Sequence, residues 1–518
     1  MLRSTFMGFE ASKSAIFANQ KAIDIVGNNI ANSQTTGYTK QRVERASVYT
    51  TNFMSRTASS TVGLAGQGVE ALGVSQTRDA FLDKCFREEY SQASFYGQTA
   101  DMINEILNVF PEGVDVTDTS GILGALENIY TNLNTFIQSP TLDTEANLVR
   151  SSFTNMVQVL QQANERLNTV ANRQQEDLKT TVSRTNEIID RIAYINKMIA
   201  SDADATSAYG SSEYFLPNEL NDERNLLLDE LASYGNINVI EGSDGTVNVE
   251  MNGVLAINKF EVDRLFVSED NSGYIGVSWI SSGESAIFNG GSIQAYVNVI
   301  NGAGANATGR QEGTQGIPYY RERINRFAQA LAEVANTTIP ELDPTTGDAL
   351  KDADGKVVYK TLLGATQSDG TVSNVAQITA ANISISKEWS EGGDSYFIFN
   401  KQENVEDYAQ KLSARLSNED FTFTSLGESF TGTFNEYMIE LVGRLGTDVS
   451  YNTGKQEAAA QVADDFLEQR DSIAGVQQDE ETTNLMIFQK AFSASSRVMT
   501  TMDDLLDTII NRMGRVGL

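Results

Sequence analysis

The chain has 518 residues, 40% of them hydrophobic, and its 38 Lys and Arg against 69 Asp and Glu give a net charge of −31. A chain of this length exceeds the size at which one hydrophobic core stops growing, so several domains are expected. The excess of negative charge argues against nucleic acid and anionic membrane surfaces as direct partners. No stretch is long and apolar enough to cross a bilayer, so no membrane insertion is predicted.

The residue types that dominate catalysis and metal binding are scarce. The chain has no histidine and one cysteine, Cys85. This composition removes Ser-His-Asp and Cys-His catalysis, histidine-ligated zinc and any intrachain disulfide. Asp348, Asp352 and Asp354 before Gly355 have the wrong spacing for a calcium loop, so a hairpin turn is favoured there. We predict no enzyme, no cofactor and no metal site; a carboxylate pair for glycoside hydrolysis stays open as a minor alternative.

The first predicted helix covers residues 4–31 and carries an apolar seam. The residues on its heptad track are Leu2, Phe6, Phe9, Ile16, Ile23 and Ile30, with Lys13, Gln20 and Gly27 at the remaining positions. Apolar residues repeated in this way form a stripe along one helix face, and such a stripe requires a partner helix.

The chain after this helix first loses and then regains helical pattern. Residues 41–78 are rich in Ser, Thr and Gly and are predicted to form an extended linker. All six prolines lie between Pro111 and Pro344, which permits long helices at both ends of the chain. Helices are predicted at 79–109, 120–138, 142–199, 219–233, 318–338, 404–417 and 428–473.

Two internal segments alternate polar and apolar residues with period two. Residues 235–310 do so around Val247-Asn248-Val249, and residues 341–400 do so around Ile383-Ser384-Ile385. Turn residues separate the runs, which is typical of hairpins. Trp279 and Trp389 lie in these segments and are expected to fill small β cores.

The last predicted helix, residues 476–513, carries a second and less interrupted seam. Its members are Leu485, Phe488, Phe492, Ser495, Met499, Met502, Leu506, Ile509 and Met513. From the heptads alone, an antiparallel pair with the N-terminal helix inside one chain is the simplest partner arrangement.

These patterns predict an α+β, mainly α, elongated multi-domain protein. It would have paired N- and C-terminal coiled-coil helices, a discontinuous helical body and inserted β-rich domains. The predicted domains are a terminal coiled-coil assembly domain (1–40 plus 476–518), the extended linker (41–78), the helical body (79–234 plus 311–340 plus 401–475), a β-rich insertion (235–310) and a second β-rich or irregular insertion (341–400).

A recognisable sequence motif lies at the predicted end of the first helix. The octapeptide Ala-Asn-Ser-Gln-Thr-Thr-Gly-Tyr at residues 31–38 resembles the signature of the axial proteins of the bacterial flagellum. Asn32 is expected to end the helix in a left-handed turn, Gly37 to supply a positive φ, and Tyr38 to anchor the turn through its ring.

Three further stretches are similar to the hook-associated members of the same family. They are residues 68–82, residues 217–231 with Pro-Asn-Glu-Leu-Asn-Asp-Glu-Arg at their start, and Glu480 to Ser495. The resemblance covers both ends and the helical middle, and it is weak across residues 235–310 and 341–400.

The resemblance implies a structural component that joins hook and filament by self-assembly through its terminal helices. Implied partners are further copies in a ring, the hook protein, a second hook-associated protein and an export chaperone at the C-terminal helix. The implied location is extracellular, after type III export without a cleaved signal peptide. The residues predicted for the assembly interface are Leu2, Phe6, Phe9, Ile16, Ile23, Ile30, Asn32, Thr35, Gly37, Tyr38, Leu485, Phe488, Phe492, Met499, Met502, Leu506 and Ile509.

Two alternatives differ from this interpretation in testable ways. Another axial protein, of the hook or the distal rod, shares the terminal motifs, but the long helix at 142–199 disfavours a hook protein, which is chiefly β beyond its ends. A surface adhesin with a coiled-coil stalk would carry a signal peptide, and Met1 to Phe6 start no long apolar run.

Overall fold

A computed structural model describes residues 5–48, 68–111, 121–140, 142–208, 217–242, 244–270, 273–304, 314–343, 346, 348–367, 370–373, 377–397, 405–425, 428–508 and 510. The chain divides into two compact units. The first comprises Met1–Gln92, Arg184–Arg264 and Ala458–Leu518; the second comprises Ala93–Ser183 and Leu265–Glu457. Three long helices contribute residues to both: α2 (Ala80–Leu107), α4 (Asp143–Ala208) and α11 (Phe434–Ala474).

The first unit holds both terminal helices and two small sheets. Besides its shares of the three long helices it contains α1 (Thr5–Ala31), α5 (Asn218–Tyr234) and α12 (Gln478–Asp507). An antiparallel hairpin joins β1 (Gln41–Ser47) to β2 (Val69–Gln76). A four-stranded antiparallel meander follows α5, with strands β3 (Ile237–Glu241), β4 (Val247–Met251), β5 (Val254–Asn258) and β6 (Glu261–Val262) in that order.

The second unit is built mainly on helices with small sheets among them. Its helices, besides its shares of α2, α4 and α11, are α3 (Gly121–Gln138), α6 (Gly291–Asn301), α7 (Ile317–Asn336), α8 (Lys387–Gly392), α9 (Asp394–Phe397) and α10 (Val405–Ser417). Its strands are β7 (Leu265–Glu269), β8 (Ile275–Trp279), β9 (Leu363–Thr366), β10 (Val372–Ser373), β11 (Ile383–Ile385), β12 (Phe421–Ser425) and β13 (Glu428–Gly432).

Most predicted helices form within two residues of their predicted ends, and the fold is mainly α with small separate sheets, as predicted. The last helix, predicted to end at residue 513, is described as α12 to Asp507, and residues 511–513 lie outside the described residues. Two other helix ends are corrected. The helix predicted to stop at residue 199 continues as α4 to Ala208, and the one predicted to begin at residue 428 begins as α11 at Phe434. The second start follows from a capping box, because Thr433 Oγ1 accepts from the Glu436 N–H while the Glu436 carboxylate accepts from the Thr433 N–H.

The expected β segments form antiparallel strand pairs and contain two buried tryptophans. Asn252 and Gly253, with φ of 48° and 82°, connect β4 to β5 as a left-handed two-residue turn. Trp279 is 2% exposed, and Trp389 is fully buried with its ring centroid 5.6 Å from that of Phe153. The prediction that a tryptophan fills a small β core is confirmed for Trp279 of β8. It is wrong for Trp389, which lies on helix α8 and packs on Phe153 of α4 and Phe397 of α9.

Some elements escaped the sequence patterns. Helix α6 lies in the segment that was expected to be β-rich because its Ile, Tyr and Val residues favour strands. Burial on most sides of this segment outweighs that preference, and the segment is helical. The hairpin β1–β2 lies in the segment predicted as an extended linker.

The Asp-rich segment before Gly355 forms a hairpin turn, in which Asp352 Oδ1 accepts from the N–H groups of Asp354 and Lys356 at 2.9 Å.

Candidate assembly interface

Helices α1 and α12, here called the terminal pair, pack against each other in antiparallel orientation. A Cβ atom on Gly8 would lie 2.8 Å from Met502 Cε, near one end of the pair. Near the other end, Asn29 Nδ2 donates to Glu481 Oε2 at 2.9 Å. The two terminal helices therefore form an antiparallel pair inside one chain, as the simplest interpretation of the sequence expected.

The buried face of α1 is not the predicted seam. Its most buried side chains are small or polar: Ser12, Ala18, Asn19, Ala22, Val26 and Asn29. The predicted residues Phe9, Ile16, Ile23 and Ile30 are only half-buried. Each of these four stands one position after Gly8, Ala15, Ala22 or Asn29, and one position is about 100° around a helix. The large apolar residues thus flank the centre of the intrachain contact.

The C-terminal seam faces α1 but stays half-buried along its described length. Leu485, Phe488, Phe492, Met499, Met502 and Leu506 all keep intermediate exposure, and Glu481 is the one buried side chain among the described residues of α12. Arg45 of β1 places its guanidinium 4.6 Å from the centroid of the Phe488 ring. Leu2 and Ile509 lie outside the described residues, and the side chain of Phe6 is not described.

One flank of the α12 seam presents apolar side chains to solvent, at positions that directly precede Phe488, Met499 and Leu506 and so lie about 100° around the helix from them. Ile487, Val498 and Leu505 are 54%, 46% and 53% exposed. Their spacings of eleven and seven residues place them on one helix face. On α1, Phe17 is 62% exposed. The exposed residues of α12 lie outside the single apolar track predicted for that helix, although their own spacing was readable in the sequence.

The motif at the end of α1 folds into a hydrogen-bonded turn. Gly37 has φ +79°, as predicted. The left-handed turn predicted at Asn32 is wrong, since among the described non-glycine residues positive φ occurs at Asn252 and Lys259. Asn32 Nδ2 instead donates to the Asn28 carbonyl and side-chain oxygens at 3.1 and 2.8 Å, which satisfies the helix end without a left-handed residue.

The residues around this turn form a polar junction, defined here as Asn29, Tyr38, Lys40, Gln41 and Glu481. The Tyr38 hydroxyl donates to Asn29 Oδ1 at 2.8 Å, and burial raises the pKa of Tyr38. Asn29 Oδ1 also accepts from the Gln41 N–H at 3.1 Å. Lys40 Nζ lies 2.7 Å from Glu480 and 3.5 Å from Glu481. The junction therefore ties both terminal helices to β1.

Helix α5 closes over the motif turn. A Cβ atom on Gly37 would come within 2.5 Å of the Leu226 side chain, so the positive φ and the close approach both require glycine. Asp222 Oδ1 accepts from Gln76 Nε2 at 2.8 Å and its Oδ2 accepts from the Thr39 N–H at 3.4 Å. Burial raises the pKa of Asp222. Thr35 is exposed, and its hydroxyl donates to Asn32 Oδ1 at 3.3 Å.

An ion-pair cluster fixes the last turns of α11 beside α2 and α5. Arg470 lies 2.8 Å from Asp229 and 3.5 Å from Asp83. Arg87 also pairs with Asp229, at 2.7 Å, and Arg78 pairs with Asp83 at 2.6 Å. All five side chains are at most 18% exposed, so these charges attract each other more strongly than surface pairs do. The four sequence stretches that carried the family resemblance thus meet in one unit.

Chemistry other than assembly finds little support in the described part of the chain. Among the residues described there, no group of three or more His, Cys, Asp or Glu could hold a metal ion. None of the described helices is long and apolar enough to cross a bilayer.

Three family profiles match the sequence. Residues 113–339 match the flagellar hook-associated protein FlgK helical domain. Residues 468–513 match the flagellar basal body rod FlgEFG protein C-terminal family, and residues 9–39 match the flagella basal body rod protein family. The first of these two ranges contains the end of α11 and all of α12, and the second contains most of α1 and the motif turn.

Individual relatives match over nearly the whole chain. The sequence is 27% identical to flagellar hook-associated protein 1 of Bacillus subtilis, and the match covers all of both chains. It is 22% identical to flagellar hook-associated protein 1 of Escherichia coli over 96% of this chain and 98% of that one. The solved flagellar hook junction protein FlgK of Burkholderia pseudomallei shares the fold, with a TM-score of 0.53 at 13% identity, over 75% of this chain and 99% of that one.

Proposed function

We propose that this chain is held in the hook–filament junction of the bacterial flagellum by its terminal pair. The chain belongs to the family of flagellar hook-associated protein 1 and is a structural component of that junction. The observation that supports this proposal is that large apolar side chains of α1 and α12 are incompletely buried within one chain. In one chain, α1 buries small and polar residues against α12, while Phe9, Ile16, Ile23, Ile487, Val498 and Leu505 remain partly or largely exposed.

Neighbouring copies in a ring would complete this burial. Covering a large apolar side chain is worth about 1.5–3 kcal/mol, so several such residues per subunit supply a substantial driving force for assembly. We propose copies of this chain as lateral neighbours, with the hook protein on one side of the ring and a second hook-associated protein on the other. The seam residues Leu485, Phe488, Phe492, Met499, Met502 and Leu506 would then serve both the intrachain pair and its neighbours.

The polar junction and the ion-pair cluster would transmit this assembly to the rest of the first unit. The polar junction bonds both terminal helices to β1 at one end of the pair, and the ion-pair cluster bonds α11 to α2 and α5. The domain organisation predicted from the sequence fits this role. A coiled-coil domain (1–40 plus 476–518) would assemble, a linker (41–78) would connect it to the body, and the insertions at 235–310 and 341–400 would lie outside the assembly contacts. Catalysis has no part in this proposal.

We further propose that the chain reaches the flagellum through type III export, with a cytoplasmic chaperone bound to α12. The single Cys85 excludes an intrachain disulfide that would have to open during threading. An exposed apolar helix face is an aggregation risk, and helix-in-groove binding uses anchors with the spacing of the α12 residues. Deleting residues 476–518 should abolish chaperone binding, whereas deleting residues 1–40 should leave it unchanged. Unchanged affinity after the C-terminal deletion would assign the chaperone to another segment.

The proposed role is tested by electron microscopy of a strain that lacks the gene. We expect hooks without filaments, and filament protein in the medium. Restoring the full-length gene should restore filaments, and restoring a gene without residues 476–518 should not. Normal filaments in the deletion strain would reject the junction role.

A further inference from the structure

The first unit contains a cavity of about 400 Å³ that the assembly proposal does not use. Residues of β2, α2, α5 and the β3–β4 hairpin line it. Its lining includes more cations than carboxylates, in a chain where acidic residues outnumber basic ones by 69 to 38. The cations are Arg78, Lys84, Arg87 and Arg224, and the carboxylates are Asp83 and Glu241.

Most of the negative charge near the cavity is already engaged. Asp83 pairs with Arg78 at 2.6 Å and with Arg470 at 3.5 Å. Arg87 is neutralised by Asp229 at 2.7 Å. Two cations of the lining, Arg224 and Lys84, therefore form no ion pair within 4 Å in the described structure, and Glu241 acts on Arg224 only from a longer distance.

Arg224 is a buried cation whose bonded partners are all neutral. It is 8% exposed, and its terminal nitrogens donate to Asn196 Oδ1 at 3.1 Å, to the Gly245 carbonyl at 2.8 Å and to Asn221 Oδ1 at 3.0 Å. Its Nε is buried and has no hydrogen-bond acceptor among the described residues. Glu241, which also lines the cavity, attracts this guanidinium without forming an ion pair within 4 Å. Burying a charge without a directly bonded counter-charge is unfavourable, so a bound anion would stabilise this arrangement.

Two other groups of the lining complete a site for a small oxyanion. Lys84 is exposed on α2, and no carboxylate of the described chain lies within 4 Å of its Nζ. Asn218 is 4% exposed and leaves its Oδ1 without a donor in the described structure. The cavity thus offers cationic N–H donors together with one acceptor. Hydrogen phosphate matches this combination, because it carries anionic oxygens and a hydroxyl group.

We propose that this cavity binds an oxyanion of the phosphate class, with Arg224 and Lys84 as cationic contacts and the Asn218 side-chain oxygen accepting from the phosphate hydroxyl. Guanidinium and ammonium groups are the usual protein contacts of phosphate, and charge-assisted hydrogen bonds are stronger than neutral ones. The inference concerns the free full-length chain and does not depend on the assembly role of the terminal pair.

The test is calorimetric titration of the full-length chain with sodium phosphate at constant ionic strength. We expect one phosphate per chain. Lys84→Gln should weaken binding about tenfold, the usual effect of losing one charge-assisted hydrogen bond. Lys197→Gln removes the same charge from an exposed position of α4 in the same unit, outside the cavity lining, and should leave the affinity unchanged.

Further titrations distinguish phosphate from sulfate and test the contact of the buried Arg224. Sulfate lacks the hydroxyl group and should bind more weakly than phosphate; equal binding would overturn the contact assigned to Asn218. Arg224→Lys should lose phosphate binding, and if this variant does not fold, Lys84→Gln still decides. No binding up to about 10 mM phosphate, a concentration that would detect even a weak millimolar site, would overturn the proposal. An equal loss of affinity in Lys84→Gln and Lys197→Gln would overturn it as well.

Discussion

The terminal pair in the first unit and helix α3 in the second unit bury very different side chains. Along α3, Leu126, Ile129, Leu133 and Phe136 are all fully buried. Helix α10 contributes Leu412 and Leu416 to the same unit, and the Tyr130 hydroxyl donates to the Leu416 carbonyl at 2.6 Å. Along α1, the buried positions are held by residues such as Ser12 and Ala22, and its larger apolar residues are half-buried.

The difference shows which part of the protein finishes its core within one chain. Each fully buried Leu, Ile or Phe of α3 contributes about 1.5–3 kcal/mol of hydrophobic stabilisation. Alanine and serine contribute far less, so the terminal pair gains little from its intrachain contact. Helix α3 therefore belongs to a unit stabilised by its own chain, whereas the terminal pair retains apolar surface for other chains.

The largest expected effect concerns the assembled state. Phe492→Asp should leave cells without filaments, because a charge covered in the assembled seam without a partner costs several kcal/mol per subunit. In the monomer Phe492 is half-buried and the charge stays hydrated, so the melting temperature should hardly change. Ser493→Asp places the same charge on an exposed position of α12 and should preserve filaments. Normal filaments with Phe492→Asp would contradict the proposed role of the seam.

The second effect concerns the core of the second unit. Phe136→Ala should lower the free energy of unfolding by about 3–5 kcal/mol, because it removes a fully buried ring and leaves a cavity. Phe492→Ala, a change of the same chemistry at a half-buried site, should lower it by less than about 1 kcal/mol. Denaturant unfolding followed by circular dichroism measures both. Equal losses would show that the terminal pair is as fully packed as α3.

The third effect separates two glycines of the N-terminal region. Gly37→Ala should destabilise the first unit by about 1–3 kcal/mol, because it strains a residue at φ +79° and collides with Leu226. Gly27→Ala meets no atom within 4 Å and lies inside α1, so it should stabilise the helix by about 0.5–1 kcal/mol. Hydrogen exchange of the α1 and β1 amides should respond in opposite directions. The same response in both variants would remove the special role of the motif turn.

The smallest effect is a pH dependence within the second unit. Burial lowers the pKa of Lys360 to about 8 from 10.5, although its Nζ lies 4.7 Å from the centroid of the Tyr396 ring and donates to the Tyr396 carbonyl. The folded state thus binds this proton less tightly than the unfolded state. The contribution of Lys360 is unfavourable below pH 8 and disappears as the pH rises to 10.5.

Lys360→Met should remove that pH dependence. The difference in unfolding free energy between Lys360→Met and the unchanged chain should shift by about 1–3 kcal/mol in favour of the unchanged chain between pH 8 and 10.5. Urea unfolding at several pH values measures it. Lys387→Met removes the same charge at an exposed lysine of α8 and is the matched control for this substitution. A constant difference for Lys360→Met would mean that burial does not perturb this lysine.

Much of the helical framework could be predicted because its signals are local. Proline placement and the period of apolar residues located the helices, and the Thr433-to-Glu436 capping box explains the one start that was predicted too early. Hairpins were readable where turn residues stood between alternating runs, as around Val247-Asn248-Val249, which became strand β4. Helix α6 was missed because its strand-prone residues are helical through burial in the second unit, which no window of sequence contains.

The sequence by itself determined that the chain has long helices at both ends, a glycine that must adopt positive φ at residue 37, and no histidine for catalysis. Only the tertiary structure decided which face of α1 meets α12, because adjacent heptad tracks differ by one residue and the closer approach selects the small side chains rather than the large ones. The tertiary structure also brought Asn29 to Glu481 and Gly37 to Leu226, contacts between residues far apart in the chain. The spacing of apolar residues within a helix determines which side chains it can bury. The contacts made by the rest of the chain determine which of these side chains are buried and which stay exposed for a neighbouring chain.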